Sequence, residues 1–184
     1  MTAATKRLLF LCTGNYYRSR FAEAAFNHAA GPAGISWRAF SKGLAIHMVP
    51  EGRISIHTLQ GLAERGIPLH CTGEDREQLA EPDLESADLV IALKEAEHRP
   101  MIEQQFPRWA DRIRYWHVSD IDACQPTDAL REIERLVRGL IAEMTSGRPA
   151  SQSFMQIESF NQDSTLLTSK PEEISRGWDV SSEI

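Results

Sequence analysis

Hydrophobic positions follow two rhythms along the chain, short unbroken runs and helical stripes, and the two alternate. Leu8-Leu9-Phe10-Leu11 is too short for a helix and runs into a Gly14-Asn15 turn signal, so it predicts a buried strand. After Ser19, Phe21, Ala22, Ala25, Phe26 and Ala29 recur at helical spacing until Gly31-Pro32, which predicts a first helix. Trp37 to Ser41 predicts a second short strand with a Lys42-Gly43 turn, followed by a loop from Leu44 to Pro50. Ile54, Leu59, Leu62 and Ala63 outline a second helix over Arg53 to Arg65, stopped by Gly66. Glu74 to Leu84 is polar, with pattern enough for one or two helical turns. Asp88 to Leu93 is apolar without alternation, which suits a strand covered on both faces. Glu95 to Phe106 predicts a polar helix ended by Pro107, and Arg112 to Val118 a fourth strand. Thr127 is expected to cap a last helix, whose Leu130, Ile133, Val137, Leu140, Ile141 and Met144 form a stripe for packing on the sheet.

Strands that alternate with helices imply a parallel sheet with right-handed crossovers, and ligands of such sheets bind beyond the carboxyl ends of the strands. Cys12 falls at the end of the first strand, Ser41 at the end of the second and Asp120 just past the fourth. From Ser146 the character changes. Residues 146–184 hold nine serines and scattered apolar residues, too few for a second core, so the expected organisation is a body over 1–145 and a flexible tail over 146–184. Docking of Phe154, Phe160 or Trp178 on the body or a partner is the alternative.

Candidate chemistry concentrates in Cys12-Thr13-Gly14-Asn15-Tyr16-Tyr17-Arg18-Ser19, between the first strand and the first helix. Cys12 and Arg18 bracket five residues, a loop length that lets successive N–H groups point inward as an anion nest at the positive end of a helix. Arg18 adds a planar fork that matches two oxygens of a phosphoryl group. The same cradle stabilises negative charge on sulfur, and an ionised Cys12 beneath a phosphate site is a nucleophile for phosphoryl transfer. Ser19 can donate its hydroxyl to that sulfur, and Tyr16 and Tyr17 can either line the mouth and stack on an aromatic substrate or be lid-like surface residues. The competing reading is a buried structural cysteine beside a helix-capping loop.

At these residues the sequence resembles the low-molecular-weight protein tyrosine phosphatases. Their Cys-x5-Arg-Ser signature is matched by Cys12 to Ser19, and the likeness runs on through Ser41-Lys42-Gly43, Gly66-Ile67-Pro68-Leu69 and Ala87 to Leu93, covering roughly residues 6 to 145. The resemblance implies a three-layer, doubly wound α/β sandwich on a four-stranded parallel sheet of order 2-1-3-4. It implies catalysis by Cys12 and Arg18 with Thr13, Gly14, Asn15, Tyr16, Tyr17 and Ser19 around the substrate. It also implies an acid, an Asp followed by Pro after the fourth strand. Here the segment is Val118-Ser119-Asp120-Ile121-Asp122 without that Pro; Asp120 is the expected acid and Asp122 the second choice. Two further departures are Tyr17, where the family often has a second Cys, and Arg20, where it has Pro.

Composition changes this picture little. A net charge of −6 argues against a nucleic-acid partner, while Arg18, Arg20, Lys42 and the nest can set a local positive field. No apolar run is long enough for a membrane span and no signal peptide precedes Leu8, so the cytoplasm is the expected location. Cys12, Cys71 and Cys124 form no Cys-x-x-Cys pair, which argues against a disulfide framework and against the three-cysteine relay of the arsenate reductases that share this fold. The six histidines show no metal-ligand spacing and receive no catalytic role, so neither metal nor cofactor is expected. Three functions stay open: a phosphotyrosine phosphatase working through a phosphocysteine, a protein arginine phosphatase, suggested by Thr after the nucleophile, and a phosphate-binding module without turnover.

Overall fold

Leu8, Leu9, Phe10 and Leu11 are all fully buried, because alternate residues of a strand face opposite ways and both faces of this one are covered. They belong to β1 (Lys6–Cys12) in a computed structural model that describes residues 4–49, 52–118 and 125–146. Leu8 and Phe10 join one core cluster and Leu9 and Leu11 another, one on each side of the sheet. Burying each such side chain contributes about 1.5–3 kcal/mol, so β1 is the centre of the fold energetically as well as spatially.

The sheet is parallel with order β2-β1-β3-β4, formed with β2 (Trp37–Gly43), β3 (Leu89–Ala92) and β4 (Arg114–Tyr115). The first face is covered by α1 (Arg18–Ala30), α2 (Ile56–Glu64) and α5 (Pro126–Thr145), through Phe21, Phe26, Leu62 and the Leu130, Ile133, Val137 and Leu140 stripe. The second carries α3 (Glu81–Glu85) and α4 (Glu95–Gln105), through Leu84 and Ile102. This is the three-layer α/β sandwich expected. No helix among the described residues is long and apolar enough to cross a membrane.

Several boundaries differ from expectation, each for a local reason. Ser55 caps α2 by accepting from the His57 N–H (3.2 Å), so the helix begins at Ile56 rather than Arg53. Thr127 is not the cap of α5. Pro126 takes the first helical position, where its fixed φ and missing N–H cost nothing, and Thr127 falls inside the first turn. The fourth strand is two residues long; 3-10 turns over 107–112 take its expected start, and beyond Tyr115 the chain leaves the strand ladder but stays beside β3, where Trp116 N–H donates to Ala92 O (2.8 Å) and Val118 N–H to Leu93 O (2.9 Å). Of the 74–84 stretch only 81–84 is helical, in a helix that runs to Glu85. The earlier part of the stretch lies against Gly43, which exchanges hydrogen bonds with Glu77 O and Leu79 N–H, both at 2.8 Å. Asp120, Asp122, Cys124 and the 147–184 part of the tail lie outside the described residues.

Candidate active site

The carboxyl end of β1 and the start of α1 are joined by five residues, 13–17. Neighbouring elements hold them from three sides. Leu44 N–H donates to Cys12 O (3.0 Å) and Ala45 N–H to Thr13 O (2.8 Å), while Ser55 N–H donates to Tyr16 O (2.9 Å) and Thr58 Oγ1 to Tyr17 O (3.1 Å). Gly14 has no room for a side chain, since a Cβ there would meet Val49 Cγ2 at 2.0 Å. Asn15 has φ +48°, a left-handed conformation that Asn tolerates better than most residues. Its side chain is buried, where it is used.

Asn15 Oδ1 accepts from Glu77 N–H (2.8 Å), which fixes the amide so that Nδ2 donates to Ser41 Oγ (2.8 Å) and Ser19 Oγ (3.2 Å). Ser19 Oγ lies 2.9 Å from Cys12 Sγ. Ser19 accepts from Asn15 and keeps its own proton to give, so with Cys12 as thiolate the hydroxyl is the donor to the sulfur. Cys12 thus sits buried at the head of α1, with a hydroxyl donor aimed at it and the N-terminal end of a 13-residue helix beside it.

Arg18 is only 2% exposed and forms a two-pronged pair with Glu97: Nη1 to Oε2 at 2.9 Å and Nη2 to Oε1 at 2.8 Å. Glu97, at 29% exposure, lies in the first turn of α4 and also accepts from Thr13 Oγ1. Behind it, fully buried His98 accepts the Lys94 N–H on Nδ1 (3.0 Å), so a neutral ring carries its proton on Nε2, 3.3 Å from Glu97 Oε1. Burial by itself raises the Glu97 carboxyl, but the bonds from His98, Arg18 and Thr13 and the Arg18 charge outweigh it and hold the group well below the usual carboxylate range. Arg18 Nη1 also lies 3.5 Å from Val118 O, so the segment after the fourth strand starts beside the cradle.

Two expectations need correction. The Tyr17 ring does not line a mouth: it is 6% exposed, packs in the core and donates its hydroxyl to Pro126 O (2.8 Å), because the first turn of α1 aims it at α5. Tyr16 stays half-buried, with the Arg76 guanidinium 5.6 Å from its ring centre. Nor do Arg20 and Lys42 supply a free positive field. Lys42 pairs with Glu77 and Asp83 outside the loop, and Arg20 is buried among backbone carbonyls. Glu97 and His98 went unrecognised in the sequence. The available signal was topological: α4 follows β3, which neighbours β1, so its first turn must stand beside the loop.

A parallel α/β sandwich that presents a cysteine, an arginine and a helix N-terminus in one loop at the carboxyl edge of its sheet defines a cysteine-dependent phosphoryl-handling class. Residues 7–146 match the profile of the family described as low molecular weight phosphotyrosine protein phosphatase, and the chain belongs to that family. It is therefore a phosphatase, a hydrolase whose family acts on phosphorylated proteins. Among relatives, it is 35% identical to a protein-arginine-phosphatase of Bacillus subtilis (strain 168) over 106 residues, 58% of this chain and 67% of that one. It is 30% identical to a low molecular weight protein tyrosine phosphatase from T. tengcongensis, with a TM-score of 0.61 over 77% of this chain and 99% of that one. A mutant of YwlE arginine phosphatase with a phosphorylated active-site serine gives a TM-score of 0.65 at 28% identity, over 77% and 97% of the two chains.

Proposed function

We propose that the chain hydrolyses protein phosphotyrosine through a phosphocysteine on Cys12. The observation that carries this reading is the 2.9 Å contact between the Ser19 hydroxyl and the Cys12 sulfur at the head of α1; the hydroxyl, donating to a thiolate, favours sulfur as both attacking and leaving group. Sulfur attacks phosphorus and the S–P bond forms as the P–O bond to the tyrosyl oxygen breaks. Asp120 gives that oxygen its proton. Water then attacks phosphorus and returns a proton to Asp120, and sulfur departs as thiolate toward the Ser19 hydroxyl. A guanidinium has five N–H donors, so Arg18 can keep its pair with Glu97 and still meet the phosphoryl oxygens, together with the N–H groups of 13–18. The Val118 carbonyl beside Arg18 supports placing the acid in the residues that follow it. The phosphorylated active-site serine of the YwlE mutant supports a covalent intermediate in a protein of similar fold. Tyr16 favours an aromatic substrate, since its ring is the partly open one in the loop.

Phosphoarginine is the second reading, favoured by the Bacillus subtilis relative and by Thr13 after the nucleophile. Phosphate release from phosphotyrosine and phosphoarginine peptides by the purified protein separates the two. Faster release from phosphotyrosine is expected, and the reverse order replaces the first reading with the second. Cys12→Ser is expected to abolish turnover while binding of vanadate survives; substantial hydrolysis by that variant removes the phosphocysteine.

A further inference from the structure

The hydrogen-bonded chain that leaves Cys12 continues beyond Ser41. Ser41 Oγ donates to Oε2 of Glu23 (2.7 Å), Thr72 Oγ1 donates to the same oxygen (2.8 Å), and Gly73 N–H donates to Oε1 (3.1 Å). Thr72 in turn accepts from Arg20 Nε (2.8 Å). The other nitrogens of Arg20 donate to the carbonyls of Gly73, Asp75 (2.8 Å) and Arg53 (3.4 Å). Both Arg20 and Glu23 are buried in α1.

Every link has one polarity. With Glu23 ionised its oxygens only accept, so the Thr72 and Ser41 protons go to Oε2 while their lone pairs take the Arg20 and Asn15 N–H groups. A proton on Oε2 would displace one of these hydroxyls. Burial pushes the Glu23 carboxyl up, against Ser41, Thr72, the Arg20 charge and Gly73, so its ionised form depends on those partners. The acidic side chains whose charge acts on Arg20 are Glu23, Asp75 and Glu77. Arg20 also reaches the site by a second route. Its carbonyl bonds tie down 73–75, just ahead of Glu77, whose N–H sets the orientation of Asn15.

We propose that Arg20 is a positioning residue which, through Thr72 and Glu23 on one side and the 73–77 segment on the other, fixes the Asn15 amide and so directs the Ser19 hydroxyl at the Cys12 sulfur. It rests on the reading of Cys12 as nucleophile. The Pro expected at this position from the family resemblance has no donor to offer, so the device belongs to this chain's own departure.

The test compares wild type with Arg20→Met, Arg20→Lys and Thr72→Val in the full chain. Alkylation of Cys12 by iodoacetamide at fixed pH reports the sulfur, because the reagent is neutral and does not need the anion cradle. Arg20→Met is expected to slow alkylation and kcat each by about tenfold, the scale of a lost charge-assisted contact, while phosphate inhibits as in wild type. Arg20→Lys, which keeps the charge, is expected to recover most of the alkylation rate. Wild-type alkylation in Arg20→Met overturns the inference, as does a parallel loss of phosphate affinity, which would mean a collapsed loop. If Arg20→Met does not fold, Thr72→Val decides: slowed alkylation supports the relay and an unchanged rate overturns it. A wild-type protein that releases no phosphate from aryl phosphates would remove the proposed function, yet the alkylation comparison would still stand or fall separately.

Discussion

Glu97 shows how one side chain ties site and stability together. Its carboxylate holds both prongs of Arg18 and, with its folded pKa below the unfolded value of roughly 4.3, contributes stability that is fully present above that value and lost as pH falls beneath it. Glu97→Gln is therefore expected to be less stable than wild type at neutral pH, with the difference closing below about pH 4. Urea midpoints measured across that range check it; a difference independent of pH would show that the charge is not what stabilises the pair. Asp120 is the other residue to test. Asp120→Asn is expected to lose about 10²- to 10⁴-fold on a substrate with a poor leaving group and much less on an activated aryl phosphate. The same pattern in Asp122→Asn instead would transfer the role. Cys12, Arg18 and Ser19 were legible in the sequence because a loop between strand and helix brings them together locally. Glu97, Glu23 and the turn of Arg20 were not, since their partners lie 79, 18 and 55 positions away.

At the scale of elements, the unbroken apolar runs identified β1 and β3, and the stripe from Leu130 identified α5, because burial on one or both faces leaves a direct trace in sequence. Ends were less legible. The cap of α5 turned on Pro126 rather than Thr127, and the start of β4 on how far 3-10 turns extend, both decided by packing. The α2–α5 contact is close enough to test: a Cβ on Gly61 would lie 2.3 Å from Leu130 Cδ1, and Leu130 is buried. Gly61→Ala gains about 1 kcal/mol of helix propensity but meets an overpacking cost of about 1–3 kcal/mol. A net loss of thermal stability is expected, and a smaller loss from Gly61→Ala on a Leu130→Ala background than in the wild-type chain would confirm the clash.

For the whole molecule, both core clusters draw on residues from Leu8 to Ile141, and each covers one face of the same sheet. The family match likewise ends at residue 146. A chain ending at Ser146 is expected to fold and to keep kcat/KM on an aryl phosphate. Loss of activity in that chain with thermal unfolding unchanged would assign the remaining residues a part in catalysis.

The buried Tyr17 carries one more consequence, in redox chemistry. Position 17 is where relatives of this kind often keep a second sulfur beside the nucleophile; here it holds a phenol anchored to Pro126 O. A cysteine oxidised to sulfenic acid is rescued when a nearby thiol condenses with it, and otherwise climbs to sulfinic acid, which thiol reductants do not reverse. With no sulfur at position 17, Cys12 lacks that shelter within its own loop. Peroxide inactivation is accordingly expected to become progressively less recoverable by dithiothreitol, with sulfinic acid at Cys12 in mass spectra. Full recovery, together with a disulfide from Cys12 to Cys71 or Cys124, would show that protection comes from farther away.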